Sequence, residues 1–233
     1  MGATEELAHF IVDLRYEDLP APVVEAAKVA ITDGIGNMLA GSQQPLAQKV
    51  AQYVSDLGGS PAYTVVGHSF KTNALLAAFA NGVFGHCLDF EIQGYPPTHG
   101  TSSCLPSALA LGEAAQASGR NIIEAYAVGW EVQGRVRAAT AAATNPAFHP
   151  PGLVGPLGGA SAGAKVLGLD VLHTRYALGI AASRTGGLTA NTGTMVKSTH
   201  PGNAARMGVE SAILAQMDFE SNADILEAPN GYG

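Results

Sequence analysis

The sequence is short of charge, and the little charge that it has is mostly acidic. Only 13% of its 233 residues are Asp, Glu, Lys or Arg, and together they give a formal net charge of -7. Proteins that bind nucleic acid or anionic membrane surfaces present basic stripes, which this composition lacks, so both kinds of partner are excluded. Any anion that the protein binds must therefore be held by a local pocket.

Cysteine and long apolar runs are also scarce. The two cysteines, Cys87 and Cys104, predict a reducing compartment and no disulfide framework, and we interpret them as buried structural thiols. The first 20 residues, MGATEELAHFIVDLRYEDLP, carry acidic side chains and resemble neither a signal peptide nor a transit peptide. No run of about 18 apolar residues predicts a membrane span. We therefore expect a cytoplasmic protein, most simply an enzyme.

Alternation of β-branched residues is nearly absent, and AYTVVG, 62–67, is the one segment that indicates a strand. With 47% hydrophobic residues, the chain has enough apolar side chains for a substantial core. We therefore predict an all-α helical bundle that forms one domain over residues 1–233. Apolar residues at helical spacing predict helices over about 23–41, 44–57, 72–87, 104–118, 122–139, 152–166, 171–187 and 201–217.

Three boundaries carry specific predictions. Asn121 and Glu124 resemble a capping box, Asp170 resembles a helix cap, and Pro201 resembles the first residue of a helix. Gly155, Gly159 and Gly163 fall on one helical face, which would let a neighbouring backbone approach closely. A phosphate loop is a poor interpretation of these glycines because no strand precedes them and no G-K-[ST] follows.

Polar residues gather at three places in this otherwise apolar chain. Segment 85–106 contains Asp89 and His99, and segment 145–152 presents His149 just before two prolines. Segment 195–206, MVKSTHPGNAAR, contains Lys197 and His200 beside the expected helix start. A lysine, an imidazole and a helix N-terminus together favour a bound carboxylate. A histidine or aspartate nearby could move a proton next to that carboxylate, while cations or N–H donors stabilise the resulting anion.

Less specific explanations remain open for several of these residues. A lone histidine is more often structural than catalytic, and we apply that interpretation to His9, His68, His86 and His173. A metal site built from Asp89, His99 and His149 is conceivable, although no tight motif such as H-E-x-x-H is present. The segment VGHSF, 66–70, lacks the second glycine of a nucleophile elbow, so Ser69 is a poor candidate for a nucleophile. The residues alone thus indicate a helical enzyme that binds an anion.

Seven segments, in this order, resemble the MmgE/PrpD family, which includes 2-methylcitrate dehydratase, cis-aconitate decarboxylase and iminodisuccinate epimerase. The likeness covers nearly the whole chain, and the order and spacing of the segments make it specific to the family but not to one substrate. The segments are FANGVFGHCLDFE, THGTSSCLPSALALGEAAQASGR, AYAVGWEVQGRV, FHPPGLVGPLGGASAGAKVLGLD, ALGIAASRTGGL, GTMVKSTHPGNAARMGVESAILA and ILEAPNGYG.

The resemblance implies a lyase or isomerase that acts on a small di- or tricarboxylate without an organic cofactor or a required metal. It also implies a homodimer and a helical first domain followed by a smaller α/β lid. The lid is missing here, and because ILEAPNGYG offers only a turn after a helix, we expect more protein to follow. By matching positions, the catalytic residues would be Asp89, His99, His149 and Lys197. We further expect His200, Gln93 and Arg206 to bind the substrate.

The sequence also departs from the family pattern. Glu91, Ile92 and Gln93 stand where the family has D-D-T, and Gly100 replaces the proline that usually follows the loop histidine. Ser198 and Thr199 replace a Pro-Leu pair. Buried polar contacts discriminate close substrate analogues, so these changes bear on substrate choice. They also favour an alternative function, a non-catalytic helical module that dimerises or binds carboxylates without a lid.

Overall fold

The computed structural model describes residues 2–233 and shows an all-α architecture, as the sequence predicts. Two turns of 3-10 helix, Tyr16–Asp18 and Thr189–Asn191, lie between the longer elements. Within the described residues there are nine α-helices: α1 (Ala3–Asp13), α2 (Ala21–Gly41), α3 (Pro45–Leu57), α4 (Ala74–His86), α5 (Thr101–Ala115), α6 (Gly119–Thr140), α7 (Pro150–Leu167), α8 (Val171–Ala182) and α9 (Met195–Gln216).

The only sheet in the described residues is a short antiparallel pair. Strand β1 (Tyr63–Thr64) pairs with β2 (Lys71–Thr72), and Tyr63 lies opposite Thr72. The strand predicted within 62–67 is thus confirmed, but it is only two residues long. Among residues 2–233 no helix combines the length and hydropathy that a membrane crossing requires.

Helices α5, α7 and α9 pack through small residues at the centre of the molecule. A Cβ atom added at Gly159 would lie 2.8 Å from the Ser107 hydroxyl, and one at Gly208 would lie 2.5 Å from the Gly159 carbonyl carbon. Gly155 and Gly163 would meet the Cβ atoms of α9 alanines at 2.8 and 2.9 Å. The predicted close approach of a backbone to this glycine face is therefore confirmed.

Helix α9 begins six residues before the predicted start at Pro201. Thr194 caps it by accepting a hydrogen bond from Val196 N, and Pro201 lies inside the helix. An internal proline costs helix stability because its ring crowds the preceding turn. Packing outweighs that cost here, since Gly202 lets the α9 backbone lie directly against α4. A Cβ atom added at Gly202 would lie 2.7 Å from Phe79 O.

The boundary between α5 and α6 also differs from the prediction. Helix α5 ends at Ala115, where Gln116 adopts a left-handed conformation with φ 50°. Ser118 caps α6 by accepting from Asn121 N at 3.3 Å, and Asn121 Oδ1 accepts from Ser118 N at 3.1 Å. Asn121 is thus the third residue of the helix and not its cap, so the predicted capping box with Glu124 is wrong.

Glu124 serves packing instead of capping. Its carboxylate accepts a hydrogen bond from Tyr16 N at 2.8 Å and lies 3.0 Å from Lys165 Nζ. The Lys165 and Glu124 side chains are only 6% and 11% exposed, so this ion pair lies inside the protein. It joins α6 to α7 and, through Lys165 bonds to the Val12 and Leu14 carbonyls, to the end of α1.

Of the remaining local predictions, the Asp170 cap and the buried Cys104 are confirmed, whereas α8 ends at Ala182, five residues before its predicted end, and Cys87 is less buried than predicted. Asp170 caps α8 by accepting from His173 N at 2.9 Å. Both cysteines are free thiols, Cys104 buried and Cys87 half-buried. Burial raises the pKa of the Cys104 thiol to about 12, which agrees with a structural role.

Candidate active site

Several helix ends meet at one place and bring their polar residues together. His86 is the last residue of α4, and the irregular segment 87–100 runs from there to the start of α5. His149 is the N-cap of α7, and Lys197 lies in the first turn of α9. Helix termini carry backbone groups and side chains that the helix itself does not use, so such a convergence can form a site.

Asp89 and Lys197 form an ion pair across this site. Asp89 adopts a left-handed backbone conformation, with φ 57°, immediately after α4, and its N–H donates to His86 O at 3.0 Å. Burial alone would raise the pKa of Asp89. The hydrogen bond from Lys197 and the charges of His86 and Lys197 outweigh that effect and hold the pKa below its usual value.

His149 and His200 face each other with their Nδ1 atoms 3.1 Å apart. The His149 backbone is fixed by the following Pro150 and by donating its N–H to Gly187 O at 2.9 Å. Burial is the main reason that the pKa of His149 falls to about 4, and neighbouring basic side chains, His86 first, add to it. Burial also lowers the pKa of His200. At neutral pH both imidazoles are therefore uncharged.

His99 lies between Asp89 and the buried side chain of Glu91. Its Nε2 atom is 3.9 Å from Asp89 Oδ1, and its Nδ1 atom is 3.4 Å from Glu91 Oε1. Burial, the largest effect, lowers the pKa of His99 and outweighs the opposing influence of Glu91. The amide nitrogen of Gln93 lies 3.1 Å from His99 Nε2, so Gln93 is placed at the site as predicted.

The structure adds His86 and Glu91 to the set that the sequence predicts. Both side chains are almost fully buried, and His86 Nδ1 lies 2.7 Å from Glu91 Oε1. The His86 ring centroid is 4.8 Å from that of His99 and 5.9 Å from that of His149. The interpretation of His86 as an unrelated structural residue missed its central position. The signal that could have found it is its spacing, three residues before Asp89 and five before Glu91.

Arg206 is the one predicted substrate-binding residue that lies away from the others. It follows Lys197 by nine positions on α9, which turns it about 180° around the helix and moves it about 13 Å along the axis. In the part of the chain that the structure describes, Arg206 forms no ion pair. The predicted helix-end anion site at Pro201 is likewise wrong, because the N-terminal turn of α9 contains Lys197 and not Pro201.

A metal ion is one possible occupant of the buried part of the site. One donor atom from each of His86, Glu91 and His99 lies within 4.8 Å of the others, a different set from the Asp89, His99 and His149 group considered above. Glu91 already accepts short hydrogen bonds from the Ser102 backbone and hydroxyl at 2.7 and 2.6 Å. The Glu91 carboxylate therefore already has its hydrogen-bond donors. A metal ion could bind it only by replacing one of them.

The arrangement suits proton transfer beside a bound carboxylate. Lys197 supplies a cationic donor whose present partner, Asp89, is 52% exposed and open to exchange for another carboxylate. His149 and His99 supply neutral imidazoles with lone pairs within the same cluster. Neutral imidazole accepts protons near neutral pH, and a buried cation stabilises the negative charge that develops when a proton or carbon dioxide leaves.

Comparisons with known proteins find similar sequences over nearly the whole chain. The chain is 37% identical to the cis-aconitate decarboxylase of Mus musculus over 239 residues, which is 100% of this chain and 49% of that protein. It is 36% identical to the cis-aconitate decarboxylase of Homo sapiens, over 99% of this chain and 49% of that protein. The enzyme of the same name from Aspergillus terreus is 32% identical over similar shares.

The chain spans about half the length of these relatives. A family model described as the MmgE/PrpD N-terminal domain matches residues 5–233. This match covers all the residues of the candidate site and nearly the whole chain. Together with the relatives' identities, it shows that the chain belongs to the MmgE/PrpD family.

Proposed function

We propose that this chain is the helical, substrate-binding part of a lyase that decarboxylates a small tricarboxylate of the cis-aconitate class. The observation that carries the proposal is the Lys197–Asp89 ion pair, which lies beside the neutral imidazoles of His99 and His149. The relatives named above are cis-aconitate decarboxylases, which supports this substrate class over the other carboxylic acids of the family.

The proposed mechanism uses only side chains of this site. A substrate carboxylate takes the place of Asp89 beside Lys197, whose ammonium group donates to it. The bond between a second carboxylate and its carbon then breaks, carbon dioxide leaves, and the electron pair is delocalised into the remaining unsaturated acid. A proton delivered through His149 or His99 completes the product, and Asp89 orients the histidine or carries the proton.

Replacement of Lys197 tests this mechanism directly. Lys197→Ala should lower the rate of carbon dioxide release from cis-aconitate by about 100-fold or more, because a partly buried cationic donor to the developing anion is lost. Lys28→Ala is the matched control, since Lys28 pairs with Glu25 on an exposed face of α2 and should leave the rate unchanged. Undiminished release by Lys197→Ala would contradict the proposed role.

Dehydration of a 2-methylcitrate-like acid and epimerisation are the other reactions that the same residues could support, since each begins with proton transfer next to a carboxylate. Product analysis by NMR with citrate-like substrates distinguishes them from decarboxylation. We further propose a homodimeric, cytoplasmic protein, in line with the expectations from the sequence. The oligomeric state is measurable by light scattering.

A second candidate function is carboxylate binding without catalysis. It is favoured by the exposure of the site, where Asp89 is 52% exposed. A site open to water gives weaker electrostatic stabilisation of a transition state than a closed one. Binding of tricarboxylates with no turnover of any of them would support this function over the lyase.

A further inference from the structure

The buried carboxylate of Glu91 accepts three short hydrogen bonds, and one of them defines which ring nitrogen of His86 carries a proton. Its oxygens accept from Ser102 N at 2.7 Å and Ser102 Oγ at 2.6 Å, and His86 Nδ1 lies 2.7 Å from Oε1. An ionised carboxylate only accepts hydrogen bonds. The short contact to His86 therefore requires that the imidazole carry its proton on Nδ1.

This assignment determines what His86 presents to the candidate site. Whenever the ring is neutral, a proton on Nδ1 leaves a lone pair on Nε2. That Nε2 atom lies 3.6 Å from Asp89 Oδ1, and within residues 2–233 it has no hydrogen-bond partner. A buried polar atom without a partner costs free energy unless something else binds to it. His86 Nε2 is thus prepared to accept a proton from the direction of Asp89.

His99 shows the same orientation for an independent reason. The Gln93 amide nitrogen only donates, so its 3.1 Å contact with His99 Nε2 requires a lone pair on Nε2. The His99 proton must then be on Nδ1, which lies 3.4 Å from Glu91 Oε1 without forming a hydrogen bond to it in the described residues. One carboxylate therefore lies on the Nδ1 side of both histidines.

We propose that Glu91 is a positioning residue, which holds His86 as the Nδ1-protonated tautomer. Gln93 holds His99 in the same form, so that the Nε2 atoms of both histidines face Asp89. This inference deepens the proposed function and rests on it for its catalytic part. In that part, the proton that completes the product passes from His86 Nε2 to Asp89 and from Asp89 to the carbanion that carbon dioxide leaves behind. An N–H bond breaks as an O–H bond forms, and that O–H bond then breaks as a C–H bond forms. Glu91 stabilises the His86 imidazolium before the transfer and keeps the Nδ1–H tautomer after it.

A purely structural role for Glu91 makes a different prediction. Its bonds to Ser102 also cap α5, and an anchor for segment 87–100 would need nothing more than these bonds. A structural anchor would leave the tautomer of His86 free to vary. The tautomeric state is therefore the property that separates the two roles.

The experiment is two-bond 1H–15N correlation NMR of the protein labelled with 15N-histidine, which distinguishes Nδ1 from Nε2 protonation without any substrate. We expect His86 and His99 as Nδ1–H tautomers in the wild type. In Glu91→Gln the amide can donate to His86 Nδ1 and should shift His86 to the Nε2–H form. Glu113→Gln is the matched control, because Glu113 accepts comparable bonds from Thr64 far from the histidines.

An Nε2–H form of His86 in the wild type would overturn the proposal, as would an unchanged tautomer in Glu91→Gln. If Glu91→Gln does not fold, the wild-type spectrum alone still decides the first point. Where the protein turns over a tricarboxylate, Glu91→Gln should lower kcat by about 100-fold with little change in KM, and Glu91→Asp should restore most of it. Because the NMR result needs no turnover, it separates failure of this inference from failure of the proposed lyase activity.

Discussion

The His149 imidazole is kept neutral mainly by burial and only secondarily by neighbouring basic side chains. Its pKa of about 4 in the folded protein lies below the ordinary value of about 6.5 for an unfolded chain. Between these two values the unfolded state binds more protons than the folded one. The stability that the neutral ring contributes is therefore complete above about pH 6.5 and is lost as the pH falls towards 4.

We accordingly expect His149→Gln to flatten the dependence of stability on pH. Between pH 7 and pH 4.5 the wild type should lose about 1 kcal/mol more than the variant, a figure discounted for the exposed part of the ring. Urea unfolding at both pH values measures the difference. His9→Gln is the control, since His9 lies on the exposed face of α1 beside Asp13. Equal slopes in wild type and His149→Gln would contradict burial as the cause.

The sequence predicts those site residues that lie next to prolines, glycines or other charged residues. Asp89, His99, His149 and Lys197 all occupy loops or helix ends, where polar side chains in an apolar chain are conspicuous, and the structure brings these four together. His86 was set aside because it completes an apolar helix, α4, where a histidine resembles a core residue. Its contact with Glu91 depends on how segment 87–100 folds back, which spacing alone does not define.

Helix interiors were easier to predict than helix boundaries. Periodicity placed the centres of the helices correctly, because it reflects burial of one face along many residues. The predicted start of α9 at Pro201 is wrong because proline and glycine normally mark helix ends, whereas here Pro201 and Gly202 lie inside the helix at its contact with α4. A boundary depends on one or two residues, so a single tertiary contact of this kind can override their local preference.

The contact between α7 and α9 gives a sharp test of the packing. Gly208→Ala would place a Cβ atom 2.5 Å from the Gly159 carbonyl carbon and 2.7 Å from Ala160 N, backbone atoms that cannot move independently. We expect it to lower the free energy of unfolding by about 2–3 kcal/mol. Gly134→Ala is the matched control because its Cβ meets no heavy atom within 4 Å in helix α6.

Gly134→Ala should instead stabilise the protein by about 0.5–1 kcal/mol, because alanine loses less conformational entropy than glycine in a helix. Both substitutions gain the same helix propensity, so the difference between them isolates the clash at Gly208. Denaturant unfolding followed by circular dichroism gives both values. A stable Gly208→Ala variant would mean that α7 and α9 do not approach as closely as the structure shows.

At the scale of the whole molecule, a protein with a net charge of -7 must attract an anionic substrate locally, against its overall charge. The structure places the required cation, Lys197, at the junction of α4, α5, α7 and α9, so the site depends on the complete bundle. Its four main residues come from positions as far apart as 89 and 197. Only the order of the segments, and not any single motif, could therefore indicate the site from the sequence.

This placement predicts that the chain itself binds tricarboxylates. A tricarboxylate such as citrate, at about 100 times its Kd, should stabilise the folded protein by about 2.7 kcal/mol and raise its Tm accordingly. Lys197→Met should abolish the shift, whereas Lys28→Met, on an exposed face of α2, should preserve it. An unchanged Tm at millimolar concentrations of every tricarboxylate tested would contradict carboxylate binding by this chain. A shift that Lys197→Met preserves would place the binding site elsewhere in the bundle.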